Sequence, residues 1–377
     1  MYIFRKPIIR ALVSRGDDVV CASAKSDYFE RITELGARPV TVPFSRHSIG
    51  FLTNFFLLLK LFLLVKAERP HVVHCFTHKP AVFGTIAAWF GGVRNIHVTI
   101  TGLGNLFVHN DWKTKLIRTL LLIQYKIAMR FVDTVFFQNP DDMQLFVQGK
   151  IVAAEKAVLT AGSGLDLAEF SAPSDADVAV ARARLGTELG VDLEGRRVII
   201  FPARGVPEKG VFEFYEAGRL VNELYPDSFV FVHLGLIDAH GVPRLSKEGL
   251  PRYAEECQVY YLGFKDDIQS YMRAADIVAL PSMYREGIPR SLIEALGLGK
   301  VVITTDMPGC REIVLGGWNG YLCRPGDTQD FASKVLLVND LLIDQARSRS
   351  RHYCETRFDA ALLVKETLRR YELALND

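Results

Sequence analysis

Apolar residues recur along this chain in two alternating rhythms. Short runs rich in Val, Ile and Phe read as strands at 18–23, 38–43, 71–75, 95–100, 134–137 and 157–160. Between them, stretches with three-to-four-residue spacing read as helices at 27–35, 80–90, 112–130 and 140–148. Such alternation predicts parallel sheet with right-handed crossovers. The rhythm breaks at 171–191, where Asp, Ala, Ser and Arg replace large apolar residues, and this stretch reads as a connector leading into a short helix. It then restarts, with strands expected at 197–201, 229–234, 259–262, 277–280 and 301–304. The expected architecture is α/β: two Rossmann-like parallel-sheet domains, 1–168 and 169–350, facing across a cleft, with ligands beyond the carboxyl ends of the strands. Residues 351–377, with Leu362, Leu363, Leu368 and Tyr371 at helical spacing, are expected to form a C-terminal helix packing back toward the first domain.

The beginning departs from the doubly wound pattern. Residues 1–15 read as a loop and first helix, so the first strand of the N-terminal domain is expected to be missing, with about ten further residues supplying it in the natural protein or its relatives.

Composition narrows the function classes. With 49% hydrophobic and 23% charged residues among 377, the chain can bury large cores, which excludes disorder. A formal net charge of +2 argues against nucleic acid as a partner. The six cysteines form no CxxC pair and no zinc spacing, and read as buried thiols of a reducing cytoplasm. No signal peptide is expected at the start.

Two stretches want an apolar surface. Residues 51–66, FLTNFFLLLKLFLLVK, are intensely apolar but too short to span a bilayer and carry Lys60 inside. They read either as a helix packed on the sheet or as a contact lying in a membrane interface, with Lys60 and Lys66 reaching toward lipid phosphates. Residues 112–130 place Lys113, Lys115, Arg118, Lys126 and Arg130 among Leu, Ile and Trp, a basic amphipathic pattern that favours the second reading.

The sharpest chemical signal is EGIPRSLIE, Glu286 to Glu294, directly after the strand at 277–280. Pro289 suits the first turn of a helix, which places Glu286 in the loop before it and Glu294 inside it. The free N–H groups and dipole of a helix start suit a diphosphate, and carboxylates beside them accept hydrogen bonds from sugar or ribose hydroxyls. Two solvated helix acids are the plain alternative. The second signal, FPARGVPEKG, sets Arg204 and Lys209 just past the carboxyl end of a strand, where two cations can neutralise a departing nucleoside diphosphate. Gly205 and Gly210 let backbone approach a ligand there. His74 and His78, in VVHCFTHKP, end the third strand on the cleft side. With Lys79 they either meet an acceptor diphosphate or are one buried and one solvated histidine. Asp175 and Asp177 spell DAD, but in the polar connector, and no metal site is read there.

Together these pieces resemble the family-four retaining glycosyltransferases of the GT-B fold over essentially the whole chain, on RGVPEKG, YLGFKDDIQSYMRAADIVALPS, the paired glutamates with the following Glu294–Ala295, TTDMPGCREIV and NGYLCRPGD. FRKPIIRAL, PFSRHS, TGLGN and SGLDL further resemble the N-acetylgalactosaminyltransferases that extend undecaprenyl-diphosphate-linked bacterial glycans. The resemblance implies that Arg204 and Lys209 grip the donor diphosphate, that Glu294 binds the ribose diol, and that Glu286 binds hydroxyls of the transferred sugar. It implies that Gly287, Ile288 and Pro289 line the sugar and phosphate pocket, that Phe264 lies by the uracil, and that the hinge segment from Ser163 to Asp166 closes the donor site. Where many members carry a histidine after the fourth strand, this chain has Thr101 and Gly102, and His97 falls within the strand, so no histidine is assigned to catalysis.

The expected activity is retaining, metal-independent transfer of an N-acetylhexosamine from a UDP-sugar, with no cofactor. The expected acceptor is a polyprenyl-diphosphate-linked saccharide in bacterial surface-glycan (O-antigen) biosynthesis, met by a cytoplasmic protein held peripherally on the inner face of the plasma membrane. A UDP-sugar epimerase on the same scaffold is the competing enzyme, distinguished by full burial of the apolar stretch around 55–64. A catalytically idle membrane-docked scaffold is the third reading.

Overall fold

The computed structural model describes residues 1–44, 50–108, 111–237, 242–246 and 248–376. Residues 45–48 of the PFSRHS segment lie outside these. The chain forms two compact units, one of 1–166 together with 360–377, the other of 167–359.

The first unit opens with helix α1 (Tyr2–Ser14), followed by β1 (Val20–Ser23), α2 (Phe29–Glu34), β2 (Arg38–Thr41), α3 (Phe51–Glu68) and β3 (Val72–Phe76). A π-helical turn, Pro80–Gly84, leads into α4 (Thr85–Gly91). β4 (Asn95–Ile100), α5 (Trp112–Ala128), β5 (Thr134–Phe137), α6 (Pro140–Gln148) and β6 (Ala157–Leu159) complete the alternation. Every described pairing is parallel: β1 with β2 as a two-stranded ribbon, and β3–β4–β5–β6 as a four-stranded sheet. All six residues of β4 are buried, as a central parallel strand covered on both faces requires.

The second unit begins with α7 (Asp175–Leu189) and continues through β7 (Arg197–Pro202), α8 (Val211–Leu224), β8 (Phe229–Leu234), α9 (Gly249–Glu256), β9 (Val259–Gly263), α10 (Ile268–Ala274), β10 (Ile277–Leu280), α11 (Arg290–Gly297), β11 (Val301–Thr305), β12 (Gly320–Cys323), α12 (Thr328–Leu337) and α13 (Asp340–Arg357). Its six strands form one parallel sheet in the order β12–β11–β10–β7–β8–β9. The order turns back at β7 and β10, the switch point at which such sheets hold ligands.

Three expectations need correction. The stretch at 171–191 is not a connector with a short helix: α7 runs for 15 residues, because Ala-rich sequence needs little apolar surface to be helical. It starts on a capping box in which Ser174 Oγ accepts from the Asp177 N–H and the Asp177 carboxylate accepts from the Ser174 N–H at 2.9 Å, so the second acid of DAD caps a helix and the first, Asp175, opens its first turn. The boundary at 350/351 falls inside α13, and residues 351–359 stay with the second unit. Strand β12 falls in the NGYLCRPGD segment, whose Gly and Cys gave no strand rhythm.

The last helix, α14 (Ala360–Asn376), belongs to the first unit and packs against α1 and β4. It joins through polar groups buried inside the unit. Asn95 Nδ2 donates to the Tyr371 carbonyl at 2.8 Å, and the Tyr371 hydroxyl meets His74 Nδ1 at 2.6 Å. His74 Nε2 lies 2.7 Å from Thr99 Oγ1, and His97 bonds Asn95 through Nε2. His74 therefore does not end the third strand on a ligand side: it sits inside β3 with both ring nitrogens engaged.

Burial holds these imidazoles neutral. It lowers His97 and His233 from 6.5 to about 4, and drives His74 well below 6.5. The unfolded chain then binds more protons than the folded one below pH 6.5, so this part of the stability is complete above pH 6.5 and is lost as the pH falls toward 4. Thermal melts across that window should show a falling midpoint, and H97Q, which removes one titrating ring, should show a shallower fall than the parent.

Candidate active site

Parallel pairing sets the geometry. β10 lies beside β7 with Ile277 opposite Ile199 and Val278 opposite Ile200, so the loops leaving their carboxyl ends run side by side. The loop after β7 carries Arg204 and a 3₁₀ turn, Pro207–Lys209. The loop after β10 carries Glu286. Lys209 Nζ donates to Glu286 Oε1, forming an ion pair whose side chains are 19% and 12% exposed. The fold brings two of the expected catalytic residues into direct contact.

Glycines make the approach possible. Gly210 has φ 78°, and a Cβ there would sit 1.9 Å from the Pro281 carbonyl oxygen. Gly309, in the loop after β11, has φ 86°, and a Cβ there would sit 1.8 Å from the Gly287 carbonyl oxygen. That loop thus closes on the backbone of Glu286 and Gly287, and brings Cys310 with it. Burial, followed by the Glu286 charge, pushes the Cys310 thiol up to about 12, which leaves it un-ionised and inert at neutral pH.

Helix α11 starts one residue later than expected. Pro289 is its N-cap, with φ −62° and ψ 119°, rather than a residue of the first turn. Leu292 N–H donates to the Pro289 carbonyl at 3.1 Å, so Arg290 and Ser291 carry the leading N–H groups, which have no acceptor inside the helix. Gly287, Ile288 and Pro289 are buried in the approach to this helix start. Glu294 lies one turn in, 8% exposed, accepting from Arg290 Nε at 2.8 Å. Burial raises its carboxyl above 4.5, and Arg290 draws it partly back.

Arg204 is exposed beside the buried Gly205. Burial raises the Tyr284 phenol, the Glu286 charge adds to this, and the Lys209 and Arg204 cations oppose it, which sets all four groups in one electrostatic neighbourhood. Gly205 N–H donates to the Leu236 carbonyl at 2.8 Å. Behind Arg204, the Ala203 carbonyl accepts from His233 Nε2 at 2.9 Å while His233 Nδ1 accepts from the Tyr215 hydroxyl at 2.8 Å. Phe264, following β9, exposes 56% of its surface.

Residues that sequence reasoning passed over complete the support. Ser282 is fully buried, with its hydroxyl 3.1 Å from Glu286 Oε1. A hydroxyl four residues ahead of the glutamate was its only sign. His233 and Tyr215 left none, since both read as core.

The remaining candidates belong to the first unit. Thr77, with φ 69°, is β-branched in the left-handed region, a strained conformation of the kind that clusters at functional sites. It precedes His78 and Lys79, which follow β3. The His78 ring packs edge-on to Tyr125 with its Nδ1 buried and unpartnered, and burial lowers it to about 4, so it is neither wholly buried nor solvated. Thr101 and Gly102 follow β4, and Gly102 has φ 103°. Ser163 is 4% exposed, with Oγ buried and unpartnered, between Gly162 and Gly164, both at positive φ. A Cβ on Gly164 would sit 2.7 Å from Ala360 Cα, and Ala360 N–H donates to the Leu165 carbonyl at 2.9 Å, so the chain leaves and re-enters this unit at one point.

Comparison with known proteins agrees with this architecture. The family model described as "Glycosyl transferase 4-like domain" matches residues 6–162, and "Glycosyl transferases group 1" matches 191–355. An N,N'-diacetylbacillosaminyl-diphospho-undecaprenol alpha-1,3-N-acetylgalactosaminyltransferase of Campylobacter jejuni is 26% identical, across 100% of this chain and 96% of its own. A UDP-Gal:alpha-D-GlcNAc-diphosphoundecaprenol alpha-1,3-galactosyltransferase of Escherichia coli is 25% identical, across 80% of this chain and 75% of its own. Among solved structures, HepE of Anabaena in complex with UDP and glucose superposes with a TM-score of 0.77 at 21% identity, over 97% of this chain and 95% of that one. Sucrose-phosphate synthase of Thermosynechococcus elongatus reaches 0.78 at 18% identity, over 99% and 93%. Both halves thus match glycosyltransferase models and the fold is shared: the chain belongs to the family-four-like glycosyltransferases of the GT-B fold, and is a hexosyltransferase.

Proposed function

We propose that this enzyme moves an N-acetylhexosamine from a UDP donor to a polyprenyl-diphosphate-linked saccharide, with retention at the anomeric carbon and without a metal. The observation that carries the reading is the meeting of Lys209 and Glu286 beside the start of α11 at the sheet's switch point. Arg204, Lys209 and the leading N–H groups of α11 take the diphosphate, supplying the positive charge a metal would otherwise bring. Glu294 accepts from the ribose diol and Glu286 from hydroxyls of the sugar. Gly287, Ile288 and Pro289 line the phosphate and sugar pocket, Phe264 lies by the uracil, and Gly205 lets backbone approach the donor.

In the proposed chemistry the bond between the anomeric carbon and the UDP phosphate oxygen breaks. The bond to the acceptor oxygen forms on the same face, and the acceptor's proton passes to the departing phosphate. His78, Lys79, Thr101 and Gly102 serve the acceptor. The activities of the Campylobacter and Escherichia relatives support a diphosphoundecaprenol-linked acceptor.

Such an acceptor lies in a membrane, and two helices suit a peripheral contact. α5 exposes Trp112, Leu116, Ile117, Leu120, Ile123 and Ile127 by 42–71%, and carries Lys113, Lys115, Arg118 and Lys126 with no acidic residue. α3 exposes Leu52, Phe55, Phe56, Leu59 and Leu63. No described helix is long and apolar enough to cross a membrane. Exposure of Phe55, Phe56, Leu59 and Leu63 counts against the epimerase, which has no use for a lipid surface. The location proposed is the inner face of a bacterial plasma membrane.

Incubation with UDP-N-acetylhexosamines and a polyprenyl-diphosphate monosaccharide should give transfer that persists in EDTA. Arg204→Ala, Lys209→Ala and Glu286→Ala should each lower turnover by about 10² or more; undiminished rates would refute the mechanism, and isomerised UDP-sugar would favour the epimerase. In flotation with vesicles containing anionic phospholipid, the wild type should rise with the lipid, and Leu120→Glu/Ile123→Glu should stay at the bottom.

A further inference from the structure

Lys209 and Glu286 satisfy one another, yet the reading above gives them separate tasks: the lysine on the diphosphate, the carboxylate on the sugar. Donor binding must loosen the pair, and a second group has to keep the carboxylate aimed when the ammonium turns away.

Ser282 is placed to do this. It sits in the turn after β10, fully buried, with Thr305 Oγ1 donating to its carbonyl. Its own hydroxyl accepts from the Tyr284 N–H at 3.2 Å, which fixes the direction of the oxygen lone pairs. The single hydroxyl proton has two acceptors in reach, Glu286 Oε1 at 3.1 Å and the Glu208 carbonyl at 3.2 Å. The Glu208 carbonyl already accepts from the Met283 N–H at 3.0 Å, whereas a carboxylate is the stronger acceptor and gains most from a donor.

We infer that Ser282 is a positioning residue for transfer: its O–H holds Glu286 Oε1 in place when Lys209 moves to the donor phosphates. The inference rests on the assignment of Glu286 to the donor sugar, and it adds a residue that touches no substrate.

The test is a double-mutant cycle of Ser282→Ala and Glu286→Gln, read as kcat and KM for donor and for acceptor, with circular dichroism melts for each protein. Ser282→Ala should lower kcat/KM for the donor about tenfold, as loss of a hydrogen bond to a charged group does, and leave the acceptor KM unchanged. In the Glu286→Gln background it should add less than about twofold, because the charge that makes this hydrogen bond strong is gone. Equal penalties in both backgrounds, or a Ser282→Ala enzyme of full rate beside an impaired Glu286→Gln, would overturn the inference alone. A fully active Glu286→Ala would overturn the donor assignment and this inference together. Should Ser282→Ala melt early, Ser282→Cys, of similar volume but a weak donor, carries the same comparison.

Discussion

The second unit of this protein depends on a constraint of parallel sheets: every strand delivers its chain to the same edge. Because β7 and β10 are neighbours, the basic loop and the acidic loop cannot avoid one another, and the sequence has made their meeting an ion pair. A lone lysine or glutamate at such low exposure would cost several kcal/mol to bury, about 3–5 when one partner is removed. The pair and the Ser282 hydroxyl lower that cost together.

The two acids differ in their setting. Glu286 bonds across loops, to a lysine and a serine from the two strand ends. Glu294 bonds within its own helix, to Arg290 one turn before it, and burial raises its carboxyl above 4.5. The first arrangement depends on the sheet, the second only on α11. A basic side chain is thus already present beside each acid.

Much of this was legible in the residues. β4, β5, β8 and β10 begin and end where the β-branched and aromatic runs do, because buried parallel strands admit little else. The carboxyl-edge placement of Arg204, Lys209 and Glu286 followed from the strand ends alone. Other features had no local signal. α7 hid behind a low apolar content, although Ser174 and Asp177 spell its cap. β12 has only Tyr321 and Leu322 between a glycine and a cysteine. Placing the third strand's end one residue early, at Cys75 instead of Phe76, moved His74 toward a ligand edge, when pairing with Thr99 and Tyr371 fixes it inside. Ser282 could not be singled out, since a serine after a strand is ordinary until the fold sets it between Glu208 and Glu286.

The return of α14 to the first unit bears on how the protein is made. Asn95 and His74 are translated early, but their partner Tyr371 comes almost three hundred residues afterwards. Until the ribosome has passed the whole of the second unit, the sheet around β3 and β4 holds imidazole and amide groups whose bonding partner does not yet exist. The second unit, uninterrupted from 167 to 359, has no such debt and is free to complete its core first.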